Sequence, residues 1–160
     1  MENPEPTAKV ELPRGMYPAK LDEKGRMKVP AVFEKYFLAL EEKKLYVTSL
    51  DRETAQIYPM AVWRINEDFF ENYTTDPDIA EQVAFNAADL GNETEMDGQG
   101  RIVFSPELRR TLKIENQPVH LYAYRGHIEV LSDEHYLARQ QKASTAPQQN
   151  VKQLQRAGLK

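Results

Sequence analysis

Asp22, Gly25 and Arg26 stand in the order Asp-x-x-Gly-Arg, and Asp97, Gly100 and Arg101 repeat that order 75 positions later. A carboxylate, a glycine and a guanidinium at this spacing have two uses. The first is architectural: an Asp side chain accepts hydrogen bonds from backbone N–H groups two residues on, Gly supplies the positive φ of a tight turn, and Arg closes the turn by pairing with Asp. The second is recognition of a nucleic acid. A turn tip presenting Lys24 and Arg26, backed by Lys20 and Lys28, has the size and charge of a groove probe. Arg grips guanine O6 and N7 through two parallel bonds, worth about 1–3 kcal/mol of discrimination, while lysines hold phosphates without reading sequence.

The elements around the first turn follow from periodicity. Tyr17, Ala19 and Leu21 alternate with Pro18, Lys20 and Asp22, and the alternation resumes with Met27 and Val29 inward and Arg26 and Lys28 outward. This pattern predicts two strands joined as a hairpin, with Pro18, which lacks an N–H, confining the first strand to a sheet edge. Pro30 opens a predicted helix with Val32, Phe33, Tyr36, Phe37 and Leu40 on its apolar face. Leu45–Thr48 and Ala55–Tyr58 read as strands, and Pro59 opens a helix carrying Val62, Trp63, Ile65, Phe69 and Phe70. Asp76-Pro77 marks the start of a further helix through Ile79, Val83 and Leu90, with Gly91 as its stop.

The second half repeats the plan: a strand from Arg101 to Phe104, a helix led by Pro106 with Leu108 and Leu112, and strands Val119–Tyr122 and Ile128–Leu131 across a turn at Arg125-Gly126. Four residues separate Arg26 from Pro30 but five separate Arg101 from Pro106, so Ser105 reads as an insertion, a β-bulge. The expected divisions are a flexible lead-in over 1–13, a first half over 14–61, a helical connector over 62–90, a second half over 91–136 and a basic, mobile tail over 137–160. Val151, Leu154 and Ala157 offer one weak helical face in that tail. Single hairpins are barely stable, so the two halves are expected to close on each other in one α+β small barrel.

Net charge is −4, but the charge is segregated. Arg14 to Lys28 holds five basic and two acidic residues, Asn66 to Asp97 ten acidic and no basic ones, and Leu137 to Lys160 five basic and no acidic ones. A positive working surface is therefore compatible with a negative total. The chain has no cysteine, which excludes disulfides and thiolate metal sites. The start Met1-Glu2-Asn3-Pro4-Glu5-Pro6 is unlike a signal peptide, and no apolar run nears the roughly 20 residues that span a bilayer. A cytoplasmic protein is the expectation.

With both turns in view, the chain resembles the MraZ family, whose members carry two tandem AbrB-like (SpoVT-AbrB) half-barrels, each with an Asp-x-x-x-Arg turn. The resemblance also rests on Arg14-Gly15, on Ile57-Tyr58-Pro59 with Trp63, and on Met96-Asp97-Gly98-x-Gly100-Arg101 followed by Pro106-Glu107-Leu108-Arg109; the extra residue Ser105 fits the family's second copy. It covers roughly residues 14 to 136. It implies a double-split barrel and a nucleoid-associated bacterial transcriptional regulator. Such a regulator binds double-stranded DNA repeats upstream of the division and cell-wall gene cluster, its own gene included, as a ring-shaped homo-oligomer. Carried onto this chain, the DNA-contacting turn is Asp22 to Arg26 and its counterpart Asp97 to Arg101. Arg26 is expected to lead, Arg101 to follow and Lys24 to hold a phosphate. The chain departs from the family pattern before Arg14, in its basic glutamine-rich end, and in the acidic segment before Asp97. Gln99 also stands where the first copy has Lys24.

No catalytic constellation is present. Ser105 lacks a G-x-S-x-G context, no Gly-rich phosphate loop occurs, and His120, His127 and His135 lack metal-ligand spacing, so no enzyme, cofactor, small-molecule substrate or membrane partner is expected. Glu67, Asp68, Glu71, Asp76 and Asp78 read as a solvated helix face. Trp63, Phe69, Phe70 and Tyr73 read as core or subunit interface. The competing function is an oligomeric protein-interaction module, an antitoxin-like partner, which the acidic connector and basic tail would serve.

Overall fold

The computed structural model describes residues 10–160, so most of the lead-in expected over 1–13 lies outside the described residues. The described chain forms a mixed α+β fold: β1 (Tyr17–Lys20), β2 (Arg26–Lys28), α1 (Ala31–Ala39), β3 (Leu45–Thr48), β4 (Ala55–Pro59), α2 (Met60–Asn72), α3 (Pro77–Leu90), β5 (Asn92–Thr94), β6 (Arg101–Val103), α4 (Pro106–Thr111), β7 (Pro118–Tyr124), β8 (His127–Ser132), α5 (Asp133–Ala143) and α6 (Pro147–Ala157). All ladders are antiparallel. Six strands form one sheet in the order β1-β7-β8-β4-β3-β5, and β2 and β6 form a separate pair. Pro18 does sit on an edge strand, because among the described residues β1 pairs with β7 alone.

The strands flanking the first turn do not form the expected hairpin. They meet at a single bridge, Leu21 with Met27. Beyond it β1 leaves for β7 while β2 pairs with β6 of the other half, Met27 facing Ile102. Arg26 pairs with Val103 and Lys28 with Arg101, so the ladder carries a pseudo-twofold that exchanges each residue with the one 75 positions on. Two further bonds keep the symmetry: Val29 N–H donates to the Gly100 carbonyl (2.9 Å) and Phe104 N–H to the Gly25 carbonyl (2.8 Å). The exchange is favourable because strands this short gain little from a local hairpin. Crossed over, Met27 and Ile102 both become fully buried in one core shared by the two halves.

The 75-residue offset continues into the helices and removes the expected bulge. Ser105 lies beyond β6 as the N-cap of α4, its Oγ accepting from Leu108 N–H (3.2 Å) and donating to the Leu90 carbonyl (2.9 Å). Pro30 is the N-cap of α1, so both helices begin five residues after their Arg. What shifts is the proline, from the cap in the first copy to the first helical position in the second. Phe33 and Leu108, and Phe37 and Leu112, are the matching buried pairs. Val32, expected on the apolar face of α1, is exposed.

Helices α2 and α3 cover β3 and β4 through a smaller cluster. Trp63 stacks on Tyr46 with ring centroids 4.6 Å apart and packs against Tyr58, Met60 and Ala87. Asp76 caps α3 through Ile79 N–H (3.2 Å), and the helix ends at Leu90, as the sequence predicts. Ile65, Phe69 and Ile79 on these helices are exposed. The weak face expected in the tail falls on α6, with Val151 and Leu154 exposed. No helix among the described residues is long and apolar enough to cross a membrane.

Candidate nucleic-acid interface

Each Asp-x-x-Gly-Arg segment folds into a turn closed by its own first residue. In the first, Asp22 N–H donates to the Arg26 carbonyl (2.8 Å) and Gly25 N–H to the Asp22 carbonyl (3.1 Å). Asp22 Oδ1 accepts from the N–H groups of Lys24 (2.9 Å) and Arg26 (2.8 Å), and Oδ2 accepts from Arg26 Nε (2.7 Å). Gly25 has φ of 78°, a conformation that an L side chain resists. The second turn repeats each bond: Asp97 N–H to the Arg101 carbonyl (2.9 Å), Gly100 N–H to the Asp97 carbonyl (3.0 Å), Gln99 and Arg101 N–H to Asp97 Oδ1 (both 2.9 Å) and Arg101 Nε to Oδ2 (2.9 Å). Gly100 has φ of 75°.

The architectural and recognition readings therefore coexist in one geometry. Asp22 takes only the Nε–H of Arg26, and among the described residues neither Nη has a hydrogen-bond partner. The guanidinium plane is fixed while its outer fork stays available for a planar acceptor pair, and the same holds for Arg101. A side chain already held in one orientation loses less entropy when it binds. The backbone N–H of Arg26, with the other N–H and guanidinium bonds, holds the Asp22 carboxyl below its ordinary range against a smaller opposing effect of burial; Asp97 is lowered in the same way by Arg101. Both carboxylates stay charged at neutral pH and keep their arginines in place.

The remaining cations divide between the turns in a way periodicity does not reveal. Lys24 and Lys20 are exposed and have no ion pair or side-chain hydrogen bond among the described residues. Lys28, counted with the first turn in the sequence, reaches the second: its Nζ donates to the Gln99 carbonyl and lies 3.8 Å from Glu34 Oε2. Arg109 is a residue the sequence reading did not assign. Its side chain is 14% exposed, packs behind Gly25 where a Cβ would collide with its guanidinium, and donates from Nη1 to the Phe104 carbonyl (2.9 Å). The signal that finds it is the repeat itself, since 109 is 34 plus 75 and Glu34 holds the matching place behind Gly100.

The histidines are dispersed. His120 Nε2 lies 2.6 Å from Asp133 and its ring stacks on Tyr136, His127 Nε2 lies 3.0 Å from Glu129, and His135 bonds Ser132. Among the described residues no three His, Asp or Glu side chains are grouped to hold a metal ion.

No family model matches the chain. Individual relatives do. It is 32% identical over 126 residues to the transcriptional regulator MraZ of Koribacter versatilis, covering 76% of this chain and 83% of that one. It is 28% identical over 121 residues to the protein of that name from Acidobacterium capsulatum, covering 76% and 82%. With the Dechloromonas aromatica protein of that name it shares 32% identity over 114 residues, covering 71% and 76%. On that extent of identity, the chain belongs to the MraZ family.

Proposed function

We propose that this protein is a sequence-specific DNA-binding transcriptional regulator that reads a groove with Arg26, assisted by Lys24 and Lys20 at phosphates and by Arg101 in the second turn. The observation that carries this reading is the pre-aimed guanidinium, its Nε tied to Asp22 and its outer fork open. The names of the relatives, all transcriptional regulators, support the same reading. Asp22 and Asp97 orient the arginines rather than touch DNA, which would repel them. Lys28 joins the surface from the side of the second turn. The finer architecture in this reading is a double-split barrel in which the β2–β6 pair closes the larger sheet. A ring-shaped homo-oligomer would set several turns on one rim, acting in the nucleoid on repeats upstream of a division and cell-wall gene cluster and of its own gene.

The test is a mobility shift on the DNA just upstream of the protein's own gene. Wild type is expected to bind with an affinity that falls steeply as salt rises, because phosphate contacts release counterions. Arg26→Ala should lose about 1–3 kcal/mol of binding with little change in Tm. Binding that survives Arg26→Ala intact sinks the assignment of this turn.

A second reading, an oligomeric protein-interaction module, is favoured by one feature: Ile65, Phe69, Ile79 and Phe85 are each more than half exposed on helices whose charged neighbours are almost all acidic. A single stoichiometric protein partner, with no binding to upstream DNA, would favour it.

A further inference from the structure

The two turns match bond for bond, but each is backed by a side chain from the other half, and those side chains differ in charge. Behind Gly25 lies Arg109 of α4; behind Gly100 lie Lys28 of β2 and Glu34 of α1, where a Cβ would stand 2.6 Å from Lys28 Nζ and 3.1 Å from Glu34 Oε2. Arg109 and Glu34 occupy the same place under the pseudo-twofold, while the mate of Lys28 is the apolar Val103. Thus the first turn is backed by one cation and the second by a cation and an anion.

The carboxylate nearest Arg109 is shared with a second arginine. Arg109 Nε is buried without a hydrogen-bond partner and stands 3.6 Å from Glu115 Oε1, a half-exposed carboxylate that Arg110 shares at 3.5 Å. Around the first turn Lys24, Arg26, Arg109 and Arg110 face Asp22, Glu23 and Glu115; around the second, Arg101 and Lys28 face Asp97 and Glu34. The first turn keeps one net positive charge and the second none. A cation shielded from water by the turn it supports is weakly screened, so its field is felt at the tip.

Resting on the DNA-binding reading, we infer that Arg109 and Glu34 set the two turns to unequal DNA affinity: Arg109 makes the first the stronger reader, and Glu34 holds down the second by neutralising Lys28. Both act through the turns as positioning and field-setting residues. Neither is placed on the DNA. The asymmetry is thus encoded twice, once at the tips by Lys24 against Gln99 and again beneath them.

Glu34→Gln leaves Lys28 without its anion and is expected to tighten binding to the upstream DNA. It should also steepen the log–log salt dependence by about one, equivalent to a roughly fourfold larger loss of affinity between 50 and 200 mM salt. Arg109→Gln is expected to weaken binding and flatten that slope by a similar amount, and Arg109→Lys, which keeps the charge, to restore the slope. A purely structural role would lower Tm without moving the slope. If Arg109→Gln does not fold, Glu34→Gln decides alone. Wild-type binding that Arg26→Ala weakens, combined with an unchanged slope in Glu34→Gln, overturns this inference and leaves the DNA-binding reading intact. Absence of wild-type binding to upstream DNA overturns both.

Discussion

The Asp22–Arg26 and Asp97–Arg101 turns differ by at most 0.2 Å in any of their closing hydrogen bonds, the widest being 2.7 against 2.9 Å from arginine Nε to aspartate. Their surroundings differ far more. One has an exposed lysine at its tip and an arginine beneath it; the other has a glutamine at its tip and a Lys28–Glu34 pair beneath it. Shape is thus held constant where the backbone needs it, and charge varies where only side chains are concerned. A duplication of this kind can keep two equal scaffolds while making two unequal contacts.

The strongest challenge to the equal-scaffold half of this comparison is to hollow out its axis. Met27→Ala and Ile102→Ala should each destabilise by about 2–5 kcal/mol, and by similar amounts, since the two side chains face each other across the ladder and are both fully buried. Chemical denaturation measures it; a large cost at one site only would break the pseudo-twofold as an energetic statement. Next comes the unequal-contact half. Arg26→Ala should cost about 1–3 kcal/mol in DNA binding and Arg101→Ala less, measured by mobility shift, and an equal loss would reverse the ranking of the turns. The helix starts sharpen the comparison at smaller cost. Ser105→Ala removes a cap and should lose about 1 kcal/mol in thermal unfolding, whereas Pro30→Ala removes no side-chain cap bond and should cost less. The smallest effect is on pH dependence. Both carboxyls are lowered in the folded state from an ordinary value of 3.8, so their contribution is complete above that value and is lost as pH falls through the depressed one. Asp22→Asn and Asp97→Asn should each flatten the acid limb of a stability–pH curve, and to the same degree.

The sequence was most legible where local chemistry decides the outcome. Strands β3 and β4, the β7–β8 pair across Arg125-Gly126, and the start of α3 at Asp76-Pro77 all follow from alternation, turn residues and a cap. Alternation states which face of a strand is buried but never which strand it pairs with, so the exchange of β2 to β6 was invisible and a local hairpin stood in its place. β5 was missed because Asn92, Glu93 and Thr94 show no apolar alternation; this strand exists because β3 offers an edge. Helical spacing places Ile65, Phe69 and Ile79 on α2 and α3 without stating which side packs on the sheet; Trp63 faces the cluster with Tyr58 and Ala87, and the first three stay exposed. At the candidate site the aspartate–arginine geometry was legible because it is contained in five residues. The destination of Lys28 and the place of Arg109 were not, since both depend on the crossing of the halves.

That crossing also governs how the chain reaches its fold. Among the described residues β2 and β6 form their ladder with each other, the first half supplying β2 no more than the Leu21–Met27 bridge, and β1 waits for β7, about a hundred residues later. When synthesis has delivered everything up to the end of α3, the first half holds its β3–β4 pair but two strands joined to each other by one bridge and still without their ladders. Closing such distant contacts is entropically slow, so completion of this core is a late event that comes only with the second half. Residues 10–90 alone should therefore lack stable tertiary structure, and a second half supplied as a separate chain should complete it, as two fragments that fold only together.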